Sequence, residues 1–187
     1  MAMRRHNMQT SVAAPQRGAA LVVGMLLLLV LTVVGVTGMS TAVLEQKMAA
    51  NYRDRDLAFQ AAEFALREGE RYVQNTVLDA SNFDAACTGG MCLPADAANG
   101  DIPVWRDTTL NVWSNSGRHR TYQINAAEVR SLPIYIIEWM GYVPPVGSAP
   151  TYSPGPGDPQ MFRITAVGYG GTDAARVMLQ STYQKEP

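Results

Sequence analysis

The sequence is poor in the residues that usually carry chemistry. Of its 187 residues, two are cysteine and two histidine. His6 lies in a polar opening stretch, which leaves His119, between Arg118 and Arg120, with no paired nucleophile in view. There is no G-x-S-x-G, H-E-x-x-H, P-loop or G-x-G-x-x-G pattern, and no run with the alternating oxygen ligands of a calcium loop. "GYGG" before "TDAA" is turn chemistry. Asp54 and Asp56 alternate with arginines in "RDRD". Two residues apart on a helix they face different ways, so they read as a solvated or subunit-facing charge cluster rather than a metal site. These gaps argue against an enzyme and give no reason to expect a cofactor or a metal. The net charge of −1 supplies no global basic field for nucleic acid or anionic lipid.

The most informative absence is local. No charged side chain occurs from Ala19 to Leu44, a run of about 26 residues that at about 1.5 Å per residue crosses a hydrocarbon core of about 30 Å. Arg4, Arg5 and Arg17 precede it with no acidic residue among them. The positive-inside rule then keeps residues 1–18 in the cytoplasm and exports the C-terminal bulk. Cys87 and Cys92 fall on the exported side, where disulfides persist, and "CTGGMC" reads as a tight structural staple. Four residues separate the cysteines, whereas a C-x-x-C redox motif has two.

A secretory signal would end in a small-residue cleavage site after the apolar run. Here the run continues without proline or turn cluster into "TAVLEQKMAANYRDRDLAFQAAEFALREGERYVQNTV", rich in helix formers. Ala58, Ala62, Ala65, Leu66, Gly69 and Val73 share one stripe at helical spacing, with Phe59 at its edge. Glu63 and Arg67 stand one turn apart in the favourable order. One helix is expected from about residue 20 to about residue 76: a membrane half over 19–44 and an amphipathic half over 45–76 that must bury its stripe. Gly24, Gly35 and Gly38 in the membrane half fit either the ordinary glycine content of membrane helices or close approach to neighbouring helices.

Residues 77–187 read as a small exported head. From about 79 to 118 the pattern is loop, with a short strand expected at "TLNVWS" and with Trp105 and Trp113 covering a small core. "RTYQINAAEV" and "PIYIIEWMGYV" have strand composition. Prolines from 144 to 159 impose a loop. "MFRITAVGY" and "RVMLQSTYQ" form the clearest hairpin, so a one-sided antiparallel sheet of three or four strands is expected to receive the helix stripe. The proline-rich loop and "CTGGMC" are the expected contact surfaces.

The fold class is therefore α+β. A basic leader ending in Gly18, a retained apolar span, an amphipathic continuation and a C-terminal sheet resemble type IV pilins. "QRGAALVVGMLLLLVLTVVGVTGM" followed by "LEQKMAANYRDRDLAFQAAEFALREGE" is similar to the N-terminal region of PilX-type minor pilins, and "FRITAVGYGGTDAARVMLQSTYQ" to that family's C-terminal sheet. The resemblance implies cleavage by a prepilin peptidase between Gly18 and Ala19, with methylation of the new N-terminus. It implies partners among minor and major pilins through the helix, a possible tip adhesin, and residence in the inner membrane before assembly into an extracellular fibre.

Two departures bear on this. Ala19 stands where most pilins begin with Phe, and Val23 stands at the fifth mature position, where major pilins carry Glu. That Glu is thought to pair with the N-terminal amine of the subunit above. A chain with valine cannot make the pair, which suits a first subunit at the fibre tip. A minor pseudopilin of type II secretion and a membrane-anchored periplasmic binding module are the alternative expectations.

Overall fold

The computed structural model describes residues 18–123, 129–172 and 174–187. Most of the leader, residues 1–17, and the middle of "RTYQINAAEV", residues 124–128, lie outside the described residues. The chain divides into two compact units, residues up to Met48 and residues 49–187. A single helix, α1, runs over Ala19–Asn75 and contributes to both.

In the second unit α1 packs on a five-stranded sheet. Its strands are β1 (Met91–Cys92), β2 (Arg120–Thr121), β3 (Ile134–Tyr142), β4 (Gln160–Tyr169) and β5 (Arg176–Lys185). The order is β1-β3-β4-β5, with β2 also pairing β3. The three long strands are antiparallel, as expected, but β1 runs parallel to β3, so the sheet is mixed. "RTYQINAAEV" contributes only Arg120 and Thr121 to a described strand.

The expected stripe is the buried face of α1. Ala58, Ala61, Ala62, Ala65, Gly69 and Val73 are buried, while Phe59, at the edge of the stripe, remains 43% exposed. The small residues matter because the helix lies close to the sheet. A Cβ built on Gly69 would come 2.6 Å from Ile164 Cγ2. One built on Gly168 of β4 would collide with the backbone of Ala58 and Ala62. On this face Phe162, Ile164 and Ala166 alternate along β4 and join Tyr135 and Ile137 of β3 beneath the helix.

The sheet is not one-sided. Ile134 to Glu138 of β3 are buried without a break, and such a near-continuous apolar run is the mark of a strand covered on both faces. The far face carries a second core in which Ile136 meets Cys87, Cys92, Val104 and Val112, flanked by Trp105, Leu110 and Trp113. The two tryptophans thus cover a small core as expected, and Trp113 Nε1 donates to the Trp105 carbonyl at 2.9 Å. "TLNVWS" is a run of turns rather than a strand. Asp107 accepts from the Thr109 and Leu110 amides at 2.7 and 3.1 Å, and Asn111 adopts φ 46°. This local side-chain bonding competes successfully with a ladder.

Two long-range ties hold α1 to the strands. No basic residue occupies its last turn. Instead Lys185, at the end of β5, donates to the Val73 and Thr76 carbonyls at 2.9 and 2.7 Å, placing a cation on the negative end of the helix. Lys185→Met should cost about 1–2 kcal/mol and lower the melting temperature of the full chain in detergent. Tryptophan fluorescence follows this selectively, because Trp105, Trp113 and Trp139 all lie in the second unit.

At the other end Asp54 accepts from the Thr172 amide at 3.1 Å and from its hydroxyl. The residue read as solvated or subunit-facing therefore clamps the β4–β5 turn. Asp56 accepts from its neighbour Gln60 at 2.8 Å.

Hydrogen bonds to four carboxylates also contribute to the acid sensitivity of the fold. The Thr172 hydroxyl holds the Asp54 carboxyl below its ordinary value, as the Ser81 hydroxyl does for Asp79, the Thr88 amide for Asp84 and the Thr109 hydroxyl for Asp107. A depressed carboxyl contributes stability that is complete above the unfolded value and is lost as pH falls through the folded one. Melting temperatures should therefore fall from about pH 4 downward, and Asp54→Asn should flatten part of that fall.

Candidate functional site: the bare apolar half of the helix

In the first unit α1 has no tertiary cover among the described residues. From Leu21 to Leu44 the large apolar side chains are between 45% (Val43) and 74% (Met39) exposed. At about 25 cal/mol per Å² such a surface is strongly unfavourable in water. It is at home in lipid or against other apolar helices. The backbone is closed on itself, as a span requires. Three threonine hydroxyls within it are also satisfied: Thr32, Thr37 and Thr41 donate back to the Leu29, Val33 and Thr37 carbonyls at 2.8, 2.8 and 3.2 Å.

Gly18 sits in a turn immediately before the first helical residue, Ala19, and is exposed. A Cβ at Gly18 would meet nothing within 4 Å, so the fold itself does not require glycine there. The same holds for Gly24, Gly35 and Gly38, although each costs about 1 kcal/mol relative to alanine in a helix. The contrast with Gly69 and Gly168, where packing excludes a side chain, is plain. Val23 is exposed in the second turn, within the charge-free run.

The second unit carries polar grooves among its described residues. One groove, about 590 Å³, is lined by Glu68, Tyr72, His119, Arg120 and Tyr135 among others. Several of the polar groups there already have partners. Arg120 stacks 4.0 Å over the Tyr72 ring and donates to the Gly89 carbonyl at 3.3 Å. His119 Nδ1 lies 2.7 Å from the Val112 carbonyl. Glu68 pairs with Arg71 at 2.7 Å, and burial pushes the Tyr135 phenol up. Among the described residues no group of three or more His, Cys, Asp or Glu is arranged to hold a metal ion.

Cys87 and Cys92 are joined in a disulfide. The tip of the loop they close, Thr88 and Gly89, is exposed, while its ends are anchored inside. Cys87, Gly90, Met91 and Cys92 are buried, and Gly90, at φ +80°, lies so near Arg120 that a Cβ would come 2.7 Å from its Cγ. The staple ties β1 into the far-face core.

Sequence reasoning also missed a largely buried ion pair. Glu138 of β3 and Arg163 of β4 are direct cross-strand partners. Arg163 donates through Nε and an Nη to the two carboxylate oxygens at 2.8 and 2.5 Å. The Glu138 side chain is fully buried and that of Arg163 only 24% exposed. The signal was a single charge in each of two apolar strands, but their register was needed to match them.

A long helix with a bare apolar first half and an amphipathic second half closing a small sheet defines the pilin-like α+β class. Two family models match: PilX N-terminal over residues 17–67, and the C-terminal family of the type IV pilus assembly protein PilX over residues 71–185. The chain belongs to the PilX family of type IV pilus assembly pilins. No match was found among curated proteins or among solved structures.

Proposed function

We infer that the chain is a minor pilin that enters the fibre at or near its tip and promotes the start of assembly. On this reading it is a structural subunit, not an enzyme. A prepilin peptidase cuts between Gly18 and Ala19, and Ala19 is the candidate for methylation. Before assembly the domain order is a cytoplasmic leader over 1–18, a membrane half over 19–44, an amphipathic half over 45–76 and an exported head over 77–187. During assembly the apolar helix exchanges lipid for a bundle of like helices contributed by major and minor pilins. The head, with its 144–159 loop outward, meets further minor pilins or a tip adhesin.

The observation that carries the reading is the charge-free, uncovered helix with valine at position 23. A carboxylate in apolar surroundings is costly unless paired. A repeating subunit makes that pair with the chain above it, whereas the first subunit has none above. The glycines at 18, 24, 35 and 38, which the chain's own packing does not demand, fit recognition by a peptidase and close helix approach in the bundle.

Immunogold labelling of intact cells tests the placement. Label should cluster at fibre ends in the unmutated strain, and Val23→Glu should shift it into the shaft or reduce initiation. Label scattered along the shaft of the unmutated strain would contradict placement at the tip.

A further inference from the structure

The two edges of the sheet are treated differently. On one side β3 is covered by β1, β2 and the segment between them. On the other, β5 is an edge strand paired with β4 in an unbroken register over its whole length, Arg176–Lys185, without a bulge. Between Val177 and Gln184 it has no charge and no proline. Proteins ordinarily blunt long edges with lysine, proline or bulges, because a bare edge templates pairing with another chain. Between Val177 and Gln184 none of these devices is present.

The register identifies which groups are free. The Gly170 amide donates to the Ala175 carbonyl at 2.9 Å, and antiparallel pairs alternate between bonded and non-bonded. The bonded partners of β4 are therefore Val177, Leu179, Ser181, Tyr183 and Lys185. The N–H and C=O groups of Arg176, Met178, Gln180, Thr182 and Gln184 point away from β4. Among the described residues nothing bonds to them.

A second observation falls on the same flank. Tyr52, Phe59, Leu66 and Val73 recur every seven residues along α1, drifting about 20° per step. Val73 is fully buried and Leu66 half-buried, while Phe59 is 43% and Tyr52 76% exposed. Tyr72, on the opposite border of the buried stripe, lies under Arg120 of β2. The heptad line therefore borders the β5 side, and Leu66 and Tyr183 both pack against the main core there. The apolar surface buried between α1 and the sheet thus runs on, uncovered, beside the open edge.

We propose that the β5 edge accepts an extended strand from a different pilus component, extending the sheet by one strand. The unpaired backbone groups call for extended backbone as their complement. The strand would be apolar at alternate positions, those facing α1, where it covers Phe59. A second copy of this chain fits poorly. A two-fold β5–β5 pair is antiparallel and sets the two α1 helices antiparallel, whereas subunits inserted in one membrane with one orientation keep them parallel. The proposal rests on the pilin reading and specifies how the head recognises a neighbour.

Hydrogen exchange of peptides spanning 176–185 tests it, comparing the full chain in detergent with the same chain in sheared fibres. The edge amides should exchange about ten-fold or more slowly in fibres. Thr182→Pro removes one outward N–H while sparing the β4 ladder. It should reduce recovery of the chain in fibres about ten-fold, whereas Thr182→Val, which keeps the N–H, should be recovered as the parent is.

A chain present in fibres whose edge amides exchange as fast as in detergent overturns the strand proposal alone. So does a folded Thr182→Pro chain incorporated at the parent level. If Thr182→Pro fails to fold, the exchange comparison on the parent decides. Protection already present in detergent, in a dimer of the chain alone, overturns assignment to a different component. Absence of the chain from fibres overturns the pilin reading and the strand proposal together.

Discussion

Replacing Gly168 with a larger residue should be among the most damaging single substitutions in the head. On the helix-facing side of β4, the position of its missing Cβ is already taken by the Ala58 carbonyl and the Ala62 backbone. No rotamer change relieves that collision, because the obstruction is main chain and not a flexible side-chain end. The helix would have to lift from the sheet, opening the contacts of Ala58, Ala61, Ala62 and Ala65 together. Overpacking commonly costs about 1–3 kcal/mol and more where backbone must shift. We expect Gly168→Ala to fall at the upper end of that range and Gly168→Val to exceed it, against a total stability of about 5–15 kcal/mol for a domain. Tryptophan fluorescence of the full chain in detergent should show the Gly168→Val head melting at least about 10 °C lower. Gly155→Ala is the control: a Cβ there meets nothing within 4 Å, and its melting temperature should be close to that of the parent. Parent-like melting of Gly168→Val would show that the helix does not lie as close to β4 as described.

The second large effect is expected at the buried ion pair. Arg163→Met leaves the Glu138 carboxylate in the far-face core with neither of its two guanidinium bonds. Removing one partner of a buried pair strands the other, at about 3–5 kcal/mol. Replacing both partners with apolar residues of similar volume is commonly near neutral. The double change Glu138→Leu with Arg163→Met should therefore recover most of the stability lost by Arg163→Met alone. Equal loss in the single and double variants would mean that the pair's packing, and not its charge, holds the strands in register.

These two sites show where sequence reading reaches and where it stops. The helix, its buried stripe and the β4–β5 hairpin were legible because each repeats at the period of its own backbone: Ala58, Ala62 and Ala65 along α1, and Phe162, Ile164, Ala166 and Gly168 along β4. The family resemblance was legible for the same reason, being carried by the uninterrupted apolar run and its charged continuation. β1 was not, because Met91 and Cys92 are too few to show any period and pair in parallel with a strand more than forty residues on. The near-continuous apolar run at Ile134–Ile137 did carry the sign of two-sided burial, and would have predicted the far-face core around Cys87 and Trp113. The Asp54–Thr172 clamp and the Lys185 cap are separated by 118 and by 109–112 residues in the chain. Nothing local marks either residue for its task. Side chains that act across such distances look, in sequence, like ordinary solvated charges. At the assembly end the position is reversed. Gly18 and Val23 stand out in the sequence through the family pattern, while the chain's own packing asks for neither.

The central claim is that the apolar half of α1 is kept in the working protein and begins it. Intact-mass and N-terminal peptide analysis of the chain recovered from sheared fibres tests this directly. The account predicts a mature protein starting at Ala19, methylated or not, with Gly18→Trp leaving the leader attached and the fibres empty of this chain. A fibre-associated or exported product that starts beyond Leu44, or that retains residues 1–18, would contradict it.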